Sequence, residues 1–389
     1  MAVSIPRSGR VAILGTSLVQ QNHNGGEVHV ATSARGWMSW AEVLSHGAIR
    51  CPVHHDPAVV AGWEPSNRAG ASRYFSGLNF GVSGQKAIEI ERRIDRLLVE
   101  DFDIIVVDAG TNDMMVETGE FIAATRARIA GRLLAAGKTV VLLPILMRGT
   151  QKWAAGGPER AKAHWINQMG LAFAEAHANC HVFDWNAAWV DYHSAHGEPH
   201  AGFSNDGTHF SVTGGFAVGK ALAAYLGHLL PNPAPRLVSP DDRFDAAHNP
   251  LGNLVPVRPV TVAVKGGTTR NALATEIVNP GAGAWLSACC DVKVPAAAGL
   301  LGLSLRLVDH GEAGLSAIAM APFEADGAGY FPLPDEAWTG TLRTPPLKLK
   351  PGNRSPGLML DVILAPDAPP LTLTIAQPEL RQISSPVRS

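Results

Sequence analysis

For roughly its first 230 residues the chain alternates short, almost continuously apolar runs with longer stretches that are apolar on one side only, a rhythm that few folds accept. The short runs are Val11–Leu14, Ile104–Asp108, Thr139–Leu143 and His181–Phe183. Strands that are apolar throughout must be covered on both faces, the condition met by a parallel sheet between helices. Ile88–Val99 supplies part of that cover: Ile88, Ile90, Ile94, Leu97 and Leu98 share one side of a helix, while Glu89, Arg92, Arg93 and Asp95 are mostly left for solvent. Phe121–Ala136, Pro158–Ala178 and Thr213–Leu230 repeat the pattern.

The rhythm stops at Pro231–Pro240, where four prolines fall within ten positions, and helical periodicity does not return. From about Leu254 onward the apolar segments are short and alternating: Val260–Val264, Ala284–Val294, Leu301–Val308, Leu315–Met320, Leu358–Leu364 and Leu371–Ile375, punctuated by proline and glycine. Such spacing predicts an antiparallel β-sandwich of roughly seven to nine strands. A chain of 389 residues also exceeds what one core usually serves. The expected division is an α/β domain over 1–232, a linker over 233–250 and a sandwich over 251–389.

Charge and composition narrow the partners. Lysine plus arginine (32) nearly balance aspartate plus glutamate (34), and no basic run interrupts them, so nucleic acid is not expected. No apolar run reaches the roughly 18 residues needed to span a bilayer, so no membrane insertion is expected. The opening residues lack the long apolar core and small-residue cleavage site of an export signal, which favours a cytoplasmic setting. The cysteines Cys51, Cys180, Cys289 and Cys290 are too few and too irregular for a disulfide framework or a zinc site. We expect free thiols, with adjacent Cys289 and Cys290 facing opposite ways along one strand. Oligomeric state is not legible.

Four short clusters carry the chemistry. Gly15-Thr16-Ser17-Leu18 places a serine at the carboxyl end of the first strand, where open α/β sheets bind ligands. Asn79–Gly84 precedes the helix near Lys86, and its amides can face developing negative charge. Gly110-Thr111-Asn112-Asp113 follows the strongest strand and offers a side-chain amide to an oxyanion. Asp206-Gly207-Thr208-His209 sets a carboxylate three residues before a histidine, a spacing that can hold the imidazole as a proton acceptor. Taken singly, each has a plainer explanation in helix capping, a tight turn, an Asx turn or an ordinary histidine. Their joint order at successive strand ends is much harder to obtain by chance.

In that order the chain resembles the SGNH hydrolases, the GDSL esterase family, over about residues 10 to 228. The resemblance implies a flavodoxin-like three-layer α/β/α domain and a two-step acyl transfer without metal or organic cofactor. It implies Ser17 as nucleophile, His209 as base and Asp206 as its partner, with the Ser17 and Gly81 amides and the Asn112 side chain as the oxyanion hole. Two departures stand out. Thr16 occupies the position usually held by an aspartate outside the triad, which is expected to alter local hydrogen bonding and leave the nucleophile in place. The interval from Ser17 to Gly81 is long; its Trp37, Trp40, His54, His55 and Trp63 either shape a substrate pocket or pack as core.

The C-terminal sandwich resembles the jelly-roll carbohydrate-binding modules of carbohydrate esterases, with Leu371–Leu380 as the final strand. Trp285, Tyr330, Phe331 and Trp338 are candidates for stacking on sugars, or for sandwich core. The expected substrate is a small acyl, above all acetyl, ester on a saccharide. The alternatives are a general short-chain esterase or thioesterase, and a catalytically silent glycan-binding protein.

Overall fold

The computed structural model describes residues 9–55, 74–230, 252–255, 259–274, 277, 279–311, 314–323, 333–352 and 355–386. The expected linker 233–250, Trp63, Tyr330 and Phe331 lie outside the described residues.

The first region runs β1 (Gly9–Gly15), α1 (Ser17–Gln20), β2 (His23–Gly25), β3 (His29–Ser33), α2 (Trp37–Leu44), β4 (Ile49–Arg50), β5 (Val53–His55), β6 (Phe75–Gly77) and β7 (Asn79–Gly81). It continues with α3 (Ala87–Glu91), α4 (Ile94–Leu97), β8 (Ile104–Val107), α5 (Gly119–Ala135), β9 (Thr139–Leu142), α6 (Pro158–Glu175), β10 (Cys180–Val182), α7 (Asn186–Trp189) and α8 (Val212–Leu226). The parallel sheet has the order β10-β9-β8-β1, and β4 and β7 pair with successive parts of the free edge of β1. Val11–Leu14 and Ile105–Val107 are buried in one core with the apolar faces of the helices, as strands covered on both sides require. Side-chain caps start two of the longer helices: Thr118 accepts the Phe121 amide at α5, and Ser211 accepts the Gly214 amide at α8, while α6 opens on Pro158 after Gly157.

The amphipathic stretch expected over Ile88–Val99 is two short helices. At their junction the Arg93 amide donates to the Ile90 carbonyl, a tighter turn than an α-helix makes. The Arg93 side chain, expected in solvent, is buried and donates to the Phe80 carbonyl at 3.0 Å. That inward bond turns the helix where its sequence period would have continued.

The second region is β11 (Val260–Val264), β12 (Gly267–Ala274), β13 (Trp285–Val294), β14 (Leu300–Gly311), β15 (Gly314–Phe323), β16 (Trp338–Arg343), β17 (Leu347–Lys348), β18 (Ser355–Leu364) and β19 (Leu371–Ile383). They form two antiparallel layers, β11-β19-β13-β16 with β17 also on β13, and β12-β18-β14-β15. Alternate residues of facing strands fill the space between them: Leu286, Ala288, Cys290 and Val292 from β13, with Leu303, Leu305 and Leu307 from β14. Cys290 joins that core and Cys289 does not, although both are buried free thiols, as neighbours on one strand should divide.

One sheet crosses between the regions. β15 pairs in parallel with β3 (Ile318 opposite His29, Ala319 opposite Val30), and β3 pairs with β2, so a hairpin from the start of the chain closes the sandwich edge. Helix α2 seals the contact. Trp40 is fully buried, edge-on to Phe216 (5.0 Å between ring centroids) and to Trp338 (5.3 Å). At Gly340 any Cβ would stand 2.6 Å from the Val43 carbonyl oxygen, so α2 reaches β16 only because that residue has no side chain.

Two outcomes follow from this packing. Trp40→Ala is expected to destabilise the protein by about 3–5 kcal/mol, read by urea unfolding. Removing residues 231–389 is expected to leave a fragment with no cooperative thermal transition, because β3 loses its partner and Trp40 its cover. A soluble fragment that melts cooperatively would show that the α/β region closes by itself.

Candidate active site

Ser17 is the first residue of α1, immediately beyond β1, so its side chain sits at the carboxyl edge of the parallel sheet. An amide in this first turn has no intrahelical acceptor. Thr16 caps the helix, its hydroxyl accepting the Leu18 amide at 3.4 Å. That hydroxyl donates to Asp108 Oδ2 at 2.6 Å, and the Thr16 amide reaches the same oxygen at 3.4 Å. Local hydrogen bonding at the departure from the usual first block thus runs to a carboxylate on the next strand.

His209 lies on the loop between α7 and α8. Its Nε2 is 2.9 Å from Ser17 Oγ, and its Nδ1 is 2.8 Å from Asp206 Oδ2. The other Asp206 oxygen accepts the His209 amide at 2.8 Å and the Thr208 amide at 2.9 Å. Burial pushes the Asp206 carboxyl up, but the bonds from the His209 amide and ring and the Thr208 amide outweigh it and hold the group far below the usual carboxylate range. An ionised carboxylate only accepts, so Nδ1 carries the imidazole proton and Nε2 turns its lone pair to the Ser17 hydroxyl. Ser204, which sequence reasoning did not single out, braces the loop by donating to the His209 carbonyl at 2.7 Å. Serines are common in loops, and nothing in the sequence sets this one apart.

Of the two remaining expected residues, Gly81 ends β7 beside the start of α1 and Asn112 lies on the loop after β8. Gly81 pairs with Gly15 in the sheet register. A Cβ there would meet the Gln20 amide nitrogen at 2.2 Å, so only glycine lets β7 approach α1 this closely. The Gly81 amide hydrogen is directed to Asn79 Oδ1 at 2.9 Å. Asn79 donates in turn to Nδ1 of buried His23 at 2.9 Å, and burial pushes that imidazole down to about 3, keeping it a neutral acceptor. Asn112 donates through Nδ2 to the Gln85 carbonyl at 3.0 Å, which leaves its second amide hydrogen for another acceptor. Asp113 accepts the Ala87 amide at 2.9 Å and so fixes the start of α3 against the Asn112 loop.

Ser17, Asp206 and His209 open into a cleft of about 540 Å3. Most of its lining residues carry hydrogen-bonding groups, Gln20, Gln21, Asn24, Arg35, Ser83 and Asn205 among them, and Phe210 is the one hydrocarbon side chain among the described lining residues. The side chains of His209 and Asp206 are 45% and 44% exposed, so water reaches the base. The aromatic residues expected as pocket walls are elsewhere. Trp37 is fully buried and donates to the Leu18 carbonyl at 2.9 Å, Trp40 seals the region boundary, and His54 stands edge-on to Trp285 at 5.5 Å. Neither they nor His55 line the cleft. Trp285 and Trp338 are likewise buried, packed against His54 and Trp40 respectively, and offer no open face to a sugar.

Among the described residues no helix is long and apolar enough to cross a membrane. No curated protein matches the sequence. Solved structures resemble it at low identity. A carbohydrate esterase family 3 protein from Talaromyces cellulolyticus is 18% identical, with 57% of this chain and 97% of that one covered at a TM-score of 0.38. An alpha/beta hydrolase enzyme from the metagenome of Lake Arreo, Spain, is 17% identical, with 58% and 97% covered at a TM-score of 0.41. The GDSL-like lipase/acylhydrolase family matches residues 13–215, more than half of the chain, with Ser17, Gly81, Asn112, Asp206 and His209 all inside the matched span. The chain is therefore a member of the GDSL-like lipase/acylhydrolase family, whose members hydrolyse esters.

Proposed function

We propose that the protein hydrolyses small acyl esters, above all acetyl esters of saccharides, through a Ser17-His209-Asp206 triad. The observation that carries this reading is the unbroken line from Ser17 Oγ through the imidazole to Asp206, with 2.9 and 2.8 Å between successive atoms. In the first step Ser17 Oγ bonds to the ester carbonyl carbon while its proton passes to His209 Nε2, and Asp206 stabilises the imidazolium. The proton then goes to the leaving alcohol as its C–O bond breaks, leaving an acyl-serine. Water attacks that acyl group, His209 takes the proton, and the acid departs with Ser17 restored.

The oxyanion of each tetrahedral intermediate is assigned to the Ser17 amide, the Gly81 amide and the free hydrogen of the Asn112 amide. For Gly81 this requires sharing or exchange of the hydrogen now directed to Asn79. The hydrogen-bonding side chains around the cleft, among them Gln20, Asn24, Arg35 and Asn205, support a hydroxyl-rich alcohol portion. A second reading, a general short-chain esterase or thioesterase with a structural sandwich, is favoured by the burial of Trp285 and Trp338.

Ser17→Ala is expected to abolish hydrolysis of nitrophenyl acetate and labelling by a fluorophosphonate while the melting curve stays as in the parent; persistent turnover would remove Ser17 from the mechanism. Asn112→Ala is expected to lower kcat by about 10²–10³, measured on the same ester. Acetate release from acetylated saccharides, set against release from long-chain acyl esters, separates the two readings of substrate. For Asp206 the sign is that of a depressed carboxylate: its stabilisation is present above the unfolded value of about 3.9 and is lost as pH falls below it. The gap in melting temperature between the parent and Asp206→Asn is therefore expected to be widest near neutrality and to close below about pH 4. A gap that does not change with pH would contradict the ionised pairing.

A further inference from the structure

Asp108 directly follows β8 and is wholly buried against the turn that carries Ser17. Its Oδ2 accepts both the hydroxyl and the amide of Thr16, and the Thr16 hydroxyl accepts the Leu18 amide. A continuous chain of hydrogen bonds thus runs from the first turn of α1 into the sheet. Asp108 Oδ1 has no hydrogen-bond partner among the described residues. A buried carboxylate with an unfilled oxygen destabilises a fold unless charge nearby compensates it. Here the compensating cations are Arg126 and Arg148, whose guanidiniums pull the carboxyl down against the stronger upward push of burial.

Those two arginines brace the backbone that follows β8. Arg126 donates to the Ala109 carbonyl and, at 2.6 Å, to the Leu143 carbonyl. Arg148 donates to the Thr111 hydroxyl at 3.0 Å. Ala109 and Thr111 flank the turn that delivers Asn112. The carboxylate is held to the nucleophile turn by direct bonds, while the two arginines are bonded to the residues on either side of Gly110.

We propose that Asp108 is a positioning residue for ester hydrolysis: through its two hydrogen bonds from Thr16 it sets the orientation of the turn bearing Ser17. The inference rests on the reading of Ser17 as nucleophile. Its physical basis is that acyl transfer tolerates little misalignment between hydroxyl, imidazole and oxyanion donors, a displacement of 1 Å being able to cost about 10²-fold in rate. Asp108 touches none of the reacting atoms, so its effect falls on kcat and leaves substrate affinity in place.

The test compares Thr16→Val, which keeps shape and loses the hydroxyl, Thr16→Ser, which keeps it, and Thr16→Asp with and without Asp108→Asn. Each folded variant is assayed well below its melting temperature for kcat and KM on nitrophenyl acetate and for the rate of fluorophosphonate attachment to Ser17. Thr16→Val is expected to lose about ten- to a hundredfold in kcat and in labelling rate with KM nearly unchanged, and Thr16→Ser to recover most of that loss. Thr16→Asp, which sets two carboxylates face to face in a dry site, is expected to fall at least as far, and adding Asp108→Asn to restore activity by returning a donor to an acceptor. Parent-like kcat and labelling in Thr16→Val, or no restoration in the double variant, overturns the proposal. If Thr16→Val does not fold, the Thr16→Asp pair decides. Failure of the underlying reading is a different result: the parent itself is not labelled at Ser17, and Ser17→Ala keeps its turnover.

Discussion

Strand β1 hydrogen-bonds to β8 along one edge and to β7 along the carboxyl half of the other, and the site depends on that threefold register. Because all three strands run the same way, the turns that leave them emerge side by side: Ser17 after β1, the Gly81 segment after β7, the Asn112 loop after β8. No loop has to reach far. His209 then arrives from the Asp206 loop, whose carboxylate fixes both its own backbone and the imidazole. Across the sheet the order is β7-β1-β8, so the turn bearing Ser17 lies between the other two.

Much of this was legible in the residues. Strands β1, β8 and β9 are buried on both faces, so their apolar runs identify them with no tertiary information, and β11 and much of β18 betray themselves by alternation. The triad candidates were legible because the Asp206–His209 spacing is short and Ser17 directly ends a strand. What stayed hidden depends on partners far along the chain. The break between α3 and α4 exists because Arg93 finds the Phe80 carbonyl, and no helical period records that bond. Strand β2, His23–Gly25, is polar and extended only because β3 lies beside it. Strand β12, Gly267–Ala274, carries too few apolar residues to alternate visibly.

The long interval after Ser17 shows why residue type alone misleads about pockets. Trp37 and Trp40 have the surface a ligand site favours, yet each satisfies its indole N–H on a nearby carbonyl and turns its ring into packing. The cleft wall that results draws on the Gln20 amide of α1, His23 and Asn24 of β2 and the Arg35 guanidinium in the loop after β3, residues whose composition announces nothing. Asp108 is similar: at the end of an apolar run it reads as the start of a turn, and its importance emerges only once Thr16 is across from it.

The pairing of β3 with β15 also has a consequence for how the molecule is assembled. Strand β3 is synthesised early, but its neighbour β15 emerges from the ribosome only after the whole parallel sheet and the first four strands of the second region have been made. Until then the nascent chain carries an open strand edge, the feature through which unfinished proteins associate with one another. Contacts this distant in sequence also close slowly. The hairpin that completes the sandwich makes the final shape of the protein depend on its two ends finding each other late.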